Sequence, residues 1–221
     1  MKFSKRITAI TELCPALESW ADIGADHGHT SASLIFNGKA KKVFATDISK
    51  DSLKKAELLR KELGLCDSIA LRVGDGFYAV ISDATEGAVI SGMGAPLIIK
   101  IIEANKEYAD SLKYMVLSPN NYSERLREYL NENSFEIEKE LMVEEREKYY
   151  PVMLVKRGSK KNYSEKQLYL GINTVINDDL IKFLKHKRAV WEDIKKDTSG
   201  SNAHALKMYD LYNEALISLH P

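Results

Sequence analysis

The feature that most constrains this chain is an alternation of two hydrophobic periods over residues 1–157. Short β-rich runs give way to longer segments with helical spacing. The runs are Trp20 to Gly24, Lys42 to Asp47, Ser68 to Val73, Gly87 to Ser91 and Lys113 to Ser118. They are apolar on both faces, as strands of a covered parallel sheet are. Between them, Ser49 is placed to cap a helix carrying Leu53, Ala56, Leu59 and Leu63, which Gly64 can end. Pro96 sits near the start of another helix, and Ser123 opens a third bearing Leu126 and Leu130. Strands linked by helices require right-handed crossovers, so a doubly wound α/β sheet is predicted.

The rhythm changes at Phe135. Phe135 to Leu141 alternates apolar and polar residues, and Tyr149 to Val155 is a second β-rich stretch with no helix between. This pattern predicts an antiparallel hairpin that closes the sheet. Five βα units and a terminal hairpin outline a Rossmann-like class I methyltransferase fold, with a seven-stranded, mostly parallel sheet. A dinucleotide dehydrogenase would continue with a second βαβ half. Gly158 to Asn162 reads as a junction, which divides the chain into 1–158, a donor-binding domain, and 159–221. In the second part Val175, Ile176, Leu180, Leu184, Trp191 and Ile194 fall at helical spacing. Asp197 to Asn202 reads as a turn, and Leu206, Tyr209, Tyr212, Leu216 and Leu219 form another stripe. A coiled-coil-like helical hairpin of this size is too small for its own core; it either packs on the sheet or projects from it.

Composition narrows the functional classes. Hydrophobic residues make up 44% and charged residues 29% of the 221, which excludes wholesale disorder. Lys+Arg and Asp+Glu are 32 each, so a polyanionic partner must be met by a local basic patch. The two cysteines, Cys14 and Cys66, suggest neither a disulfide framework nor a CxxC metal site, and no metal is expected. Thr8, Thr11 and Glu12 interrupt any signal-like apolar region, and Ala88 to Ile102 is too short and broken for a bilayer span. The expectation is a cytoplasmic protein that does not enter membranes, with its oligomeric state open, a monomer included.

The residues at the strand ends carry the chemistry. The first run ends in Asp22-Ile23-Gly24-Ala25-Asp26-His27-Gly28. Gly24 permits a tight turn and close ligand approach. Asp26, in the middle of the glycine series, makes a poor cradle for pyrophosphate but suits a ligand bearing an ammonium and a sulfonium. Asp47, followed by Ile48, ends the second run at close to the ~20-residue interval from Gly28 expected for a ribose-binding acid. Gly74-Asp75-Gly76 ends the third, where a carboxylate can accept from an adenine amino group or simply make a turn. Acids at three successive strand ends, Asp22, Asp47 and Asp75, match S-adenosylmethionine better than NAD. Gly92-Met93-Gly94 leaves an open floor after the fourth run, and the amide of Asn120, after the fifth, can read a base edge.

Together, Asp22-Ile23-Gly24-Ala25-Asp26-His27, Asp47, Gly74-Asp75-Gly76, Ser91-Gly92-Met93-Gly94 and Ser118-Pro119-Asn120 resemble the bacterial tRNA (adenine(22)-N(1))-methyltransferase family. The resemblance implies methyl transfer from S-adenosylmethionine to N1 of an adenine in tRNA. It also implies a catalytic domain joined to a C-terminal helical pair. It places Asp22, Gly24, Asp47, Ile48, Gly74, Asp75, Gly76, Gly92 and Met93 around the donor, with Asp26 and His27 beside the reacting centre. Asp26 can equally hold the methionine ammonium. Three positions depart from the family pattern: Gly28-His29-Thr30-Ser31 after Asp26-His27, Ala95 after Gly94, and Ile172 after Gly171.

A folded tRNA is held through its phosphates, and its target base must leave the stack. Basic candidates are Lys2, Lys5 and Arg6; Lys39, Lys41 and Lys42; Lys156 to Lys161; Lys185 to Arg188, with Lys187 and Arg188 foremost; and Lys195-Lys196. Tyr149 and Tyr150 can stack on a base or pack in a strand. The competing readings are a methyltransferase for another RNA position or a small substrate, an NAD-dependent oxidoreductase, and a non-catalytic RNA-binding relative.

Overall fold

A computed structural model describes residues 1–197 and 202–219. Helix α1 (Lys5–Leu13) precedes the first strand, β1 (Leu17–Ile23), and is followed in order by α2 (His29–Phe36), β2 (Ala40–Asp47), α3 (Lys50–Glu62) and β3 (Ile69–Val73). A short 3-10 turn leads to β4 (Gly87–Ser91), α4 (Ala95–Ala104), α5 (Lys106–Ser111), β5 (Tyr114–Ser118) and α6 (Ser123–Glu132). The hairpin β6 (Phe135–Glu145) and β7 (Lys148–Arg157) is followed by α7 (Glu165–Leu170), α8 (Asp178–Asp197) and α9 (Ala203–Leu219).

The strand order is β3-β2-β1-β4-β5-β7-β6. The first five strands pair in parallel, and β7 runs antiparallel to both β5 and β6. The order reverses between β1 and β4, which is where an open α/β sheet leaves a ligand crevice. Each face is covered. Ile98, Ile102, Leu126 and Leu130 from α4 and α6 pack on one side, and Ile10, Leu13 and Leu34 from α1 and α2 on the other.

Local signals account for several boundaries. Ser49 accepts a hydrogen bond from the Ser52 N–H, and Gly64 follows α3 in the left-handed region, as expected. The start of α6 differs. Its cap is Tyr122, left-handed at φ +53° and without a side-chain cap bond, while Ser123 already lies in the helix and accepts from Arg127. The hairpin strands run longer than the alternation predicts, because β6 continues past Leu141 to carry the helical tail.

The tail packs on the sheet and does not project from it. Met142 of β6 is buried with Phe183 and Leu184 of α8 and with Met208, Tyr212 and Leu216 of α9. A buried ion pair fixes the seam: Arg127 of α6 binds both oxygens of Glu140, its Nη2 lying 2.5 Å from Oε1. Arg127 also donates to the Leu168 carbonyl, and the Ile172 N–H donates to Glu140 at 3.1 Å. Gly171 is required there, because any Cβ would collide with Thr174 and crowd Glu140. Four residues of the expected Asp197-to-Asn202 turn, 198–201, lie outside the described residues.

Candidate active site

The crevice forms where β1, β2 and β4 end. Gly24 turns the chain out of β1 at φ +73°, and a Cβ there would overlap the Met93 methyl group. Thus the two glycine motifs meet, with Met93 lying against the Gly24 backbone. Asp26 sits at φ +45° with its carboxylate exposed, and its N–H donates to Asp47 Oδ2 at 3.2 Å. Asp47 Oδ1 accepts from the Ser49 N–H at 2.8 Å. Each Asp47 oxygen therefore keeps acceptor capacity toward the crevice. Gly28 is the N-cap of α2 at φ +76° and supplies no side-chain cap, while Asp22 engages Ser31 in the first turn.

His27 is half exposed. It stacks on His29 at 5.9 Å between ring centres, with Lys55 at 3.3 Å and the Asp26 carboxylate at 3.5 Å from its Nε2. Gly24, Asp26, His27 and Gly92 line one cavity of about 260 Å³, whose far wall is Arg6 and Ile7 of α1. Ile48 is 72% exposed beside Asp47, an unburied apolar side chain at the rim. Gly92, at φ +79°, has open space where a Cβ would be, so the floor is clear.

Other expected site residues have different surroundings. Asp22 is buried at the end of β1 and accepts from the Ser31 hydroxyl at 2.6 Å. Burial, opposed by that hydrogen bond and reinforced by nearby Asp47, pushes its pKa up to about 6. Asp26 lines the cavity, Asp47 is tied to it through the Asp26 N–H, and Asp75 stands at a separate small hollow. Asp75 is exposed and makes no side-chain cap bond, next to a small hollow lined by Phe77, Leu97 and Ile101. Gly74 is needed for close packing on Ala79, and Gly76 is buried against Ile101. Both glycines shape the loop that carries Asp75.

The basic candidates separate. Lys5 holds Asp179 of α8 at 2.6 Å. That contact holds the Lys5 pKa above the ordinary lysine value; burial opposes the effect, and the nearby carboxylates add to it. Arg6 turns inward. It donates to the Ser118 hydroxyl and carbonyl and to Asn120 Oδ1, and its guanidinium lies 4.0 Å from the Tyr150 ring centre. Arg6 binds the Asn120 oxygen, and the Asn120 amide nitrogen donates to the Gly92 carbonyl at 2.6 Å, while the residue stays exposed. Asn120 thus braces the Gly92-Met93 floor, also through its N–H to the Met93 carbonyl. The Arg6 contacts could not be read in sequence, since 112 residues separate Arg6 from Ser118. Lys187 is half buried above Phe183, and the buried Nε of Arg188 has no hydrogen-bond partner among the described residues. Tyr150 is covered by Arg6, while Tyr149 packs against Phe183 and His186.

Residues 20–215 match the TrmK family model, that of the tRNA (adenine(22)-N(1))-methyltransferases. The chain belongs to this family. It is 28% identical over 207 residues to the Bacillus subtilis tRNA (adenine(22)-N(1))-methyltransferase, covering 89% of this chain and 87% of that protein. The crystal structure of the B. subtilis m1A22 methyltransferase TrmK shares the fold, with a TM-score of 0.77 at 23% identity over 97% of this chain and 96% of that one. M. capricolum TrmK, solved with S-adenosyl-homocysteine, gives 0.82 at 18% identity over 98% of both chains. TrmK enzymes are S-adenosylmethionine-dependent methyltransferases, in line with the acid-fringed crevice. Among the described residues, no helix is long and apolar enough to cross a membrane, and no group of three or more His, Cys, Asp or Glu is placed to hold a metal.

Proposed function

We propose that this chain transfers a methyl group from S-adenosylmethionine to N1 of adenine 22 in tRNA, in the cytoplasm. In this reading 1–158 is the donor-binding domain and 159–221 the helical hairpin. The observation that carries it is the crevice itself, a small-residue floor at the switch point of the sheet, fringed by Asp26 and Asp47.

The residues fit the donor. The Asp47 carboxylate suits a ribose diol, exposed Ile48 offers an apolar face to an adenine, and Asp75 on its glycine-flanked loop can accept from an exocyclic amine. The open floor at Gly92 and the Met93 side chain over Gly24 leave room for the methionine end. Pyrophosphate would be repelled by this fringe.

When bound, the donor supplies a methyl group on a positively charged sulfur. Adenine N1 attacks with its lone pair, the new N–C bond forms as the C–S bond breaks, and the base becomes cationic. The protein's share is alignment of the two reactants, worth several kcal/mol when the reacting atoms are held in line. Asp26 and His27 at the crevice mouth orient the base, and the Asp26 carboxylate offsets its developing charge. Arg6, through Asn120, keeps the Gly92-Met93 floor in place. Lys187 and Arg188 lie on α8, the face we assign to RNA.

The test is incubation with methyl-labelled S-adenosylmethionine and unmodified bacterial tRNA, followed by nucleoside analysis. Label is expected in 1-methyladenosine. Label in any other nucleoside, or none, overturns the assignment.

A further inference from the structure

A second cleft lies outside the donor crevice, between the loop 119–123 and the two long tail helices. Its volume is about 390 Å³, within the ~300–1,000 Å³ range of small-ligand sites. Its walls are rings: Tyr122, Tyr149, Tyr169, Phe183, Trp191 and Tyr212. Building on the proposed function, we propose that this cleft holds one unstacked nucleotide of the tRNA next to the methylated adenine.

Three observations point to a nucleotide. First, aromatic walls accept any base by stacking, and stacking is how proteins hold unpaired bases. Tyr122 at the mouth is half exposed, and the Arg125 guanidinium lies 4.8 Å from its ring centre, a cation beside the stacking surface. Second, the cleft widens into a neighbouring hollow of about 450 Å³ where Lys148, His186 and Lys187 stand on the rim. Lys187 lines both hollows; Glu124 balances it in the cleft, whereas the outer hollow sets Lys148 and Lys187 against Glu147 alone, and a phosphate would lie there. Third, the cleft and the donor crevice are neighbours across Asn120. Asn120 lines both hollows and bonds the Gly92 carbonyl, and Gly92 lines the crevice. A base at the crevice therefore leaves its neighbour at the mouth of the cleft.

The test uses the full chain and a tRNA transcript. Tyr122→Ala is expected to raise the KM for tRNA about five- to tenfold, the loss of one stacked base, while S-adenosylmethionine affinity stays unchanged. Lys187→Ala is expected to lower the salt dependence of tRNA binding by about one phosphate. Trp191 gives a second readout, because the chain has two tryptophans and Trp20 is fully buried in the sheet. Binding of tRNA without donor should quench emission in the wild type, and Trp191→Phe should remove the quenching. Unchanged tRNA KM in Tyr122→Ala, an unaltered salt slope in Lys187→Ala or absent quenching overturns the proposal. So does a fall in kcat at constant KM, which would place the reacting base itself in the cleft. Failure of the wild type to methylate tRNA would defeat the functional reading, whereas normal methylation with indifferent variants would defeat the cleft alone.

Discussion

The donor crevice and the ring-lined cleft lie on either side of Asn120 and are built in opposite ways. The crevice is a backbone construction. Gly24 and Gly92 take positive φ just past β1 and β4 and Gly28 does so at the start of α2, while Arg6 and Ile7 supply the far wall. The cleft is a side-chain construction, drawn from the β5–α6 loop, β6, β7, α7, α8 and α9. A backbone-built site suits one fixed small ligand. A site of rings across a seam suits a flexible polymer, whose bases differ but always present a flat face. The seam must then be rigid enough to keep the two sites in register.

That requirement gives the largest expected effect. Glu140→Gln leaves Arg127 buried without its counter-charge, a change that costs about 3–5 kcal/mol. A single, lower thermal unfolding transition would show that sheet and tail fold together. Two separate transitions would break the comparison by making the tail independent.

A smaller effect sharpens the description of the crevice. Asp22 has its pKa raised by burial to about 6, from 3.8. A carboxyl raised in the folded state binds more protons there than when unfolded between those values. Its contribution to stability therefore falls as pH rises from about 4 to about 6 and is level above that. Asp22→Asn removes the charge and keeps an acceptor for Ser31. One pKa unit is worth about 1.4 kcal/mol, which sets a ceiling of about 3 kcal/mol, and the new unpaired amide donor trims the gain to about 1–2 kcal/mol. Denaturant unfolding of both forms at pH 4, 5, 6 and 7 should show the variant less stable than the wild type at pH 4, gaining on it as pH rises to about 6 and then levelling. A pH-independent difference would mean that Asp22 carries no unfavourable charge.

The contrast also explains what could be read in advance. The parallel strands, the closing hairpin and the Ser49 cap follow from local periods and short-range hydrogen bonds, so the sequence displays them. The glycines and acids of the crevice fall in short runs at successive strand ends, and each run survives as a motif. The burial of Asp22 was hidden, because a strand-end acid reads alike whether it is exposed or covered. Arg6 read as a surface cation because its partners, Ser118, Asn120 and Tyr150, come from distant segments. The cleft was invisible for the same reason. Trp191 and Tyr212 looked like members of apolar stripes until packing of the tail on β6 brought them together.

The central claim is that a crevice fringed by Asp26 and Asp47 takes a cationic methyl donor and refuses a pyrophosphate coenzyme. Calorimetric titration with S-adenosylmethionine and with NAD, for the wild type and Asp47→Ala, tests it most directly. The wild type should bind S-adenosylmethionine and give no heat with NAD. Asp47→Ala should bind the donor about 100-fold more weakly, the loss of two hydrogen bonds to a charged acceptor at about 1.5 kcal/mol each. Binding of NAD by the wild type, or undiminished donor affinity in the variant, would contradict the account.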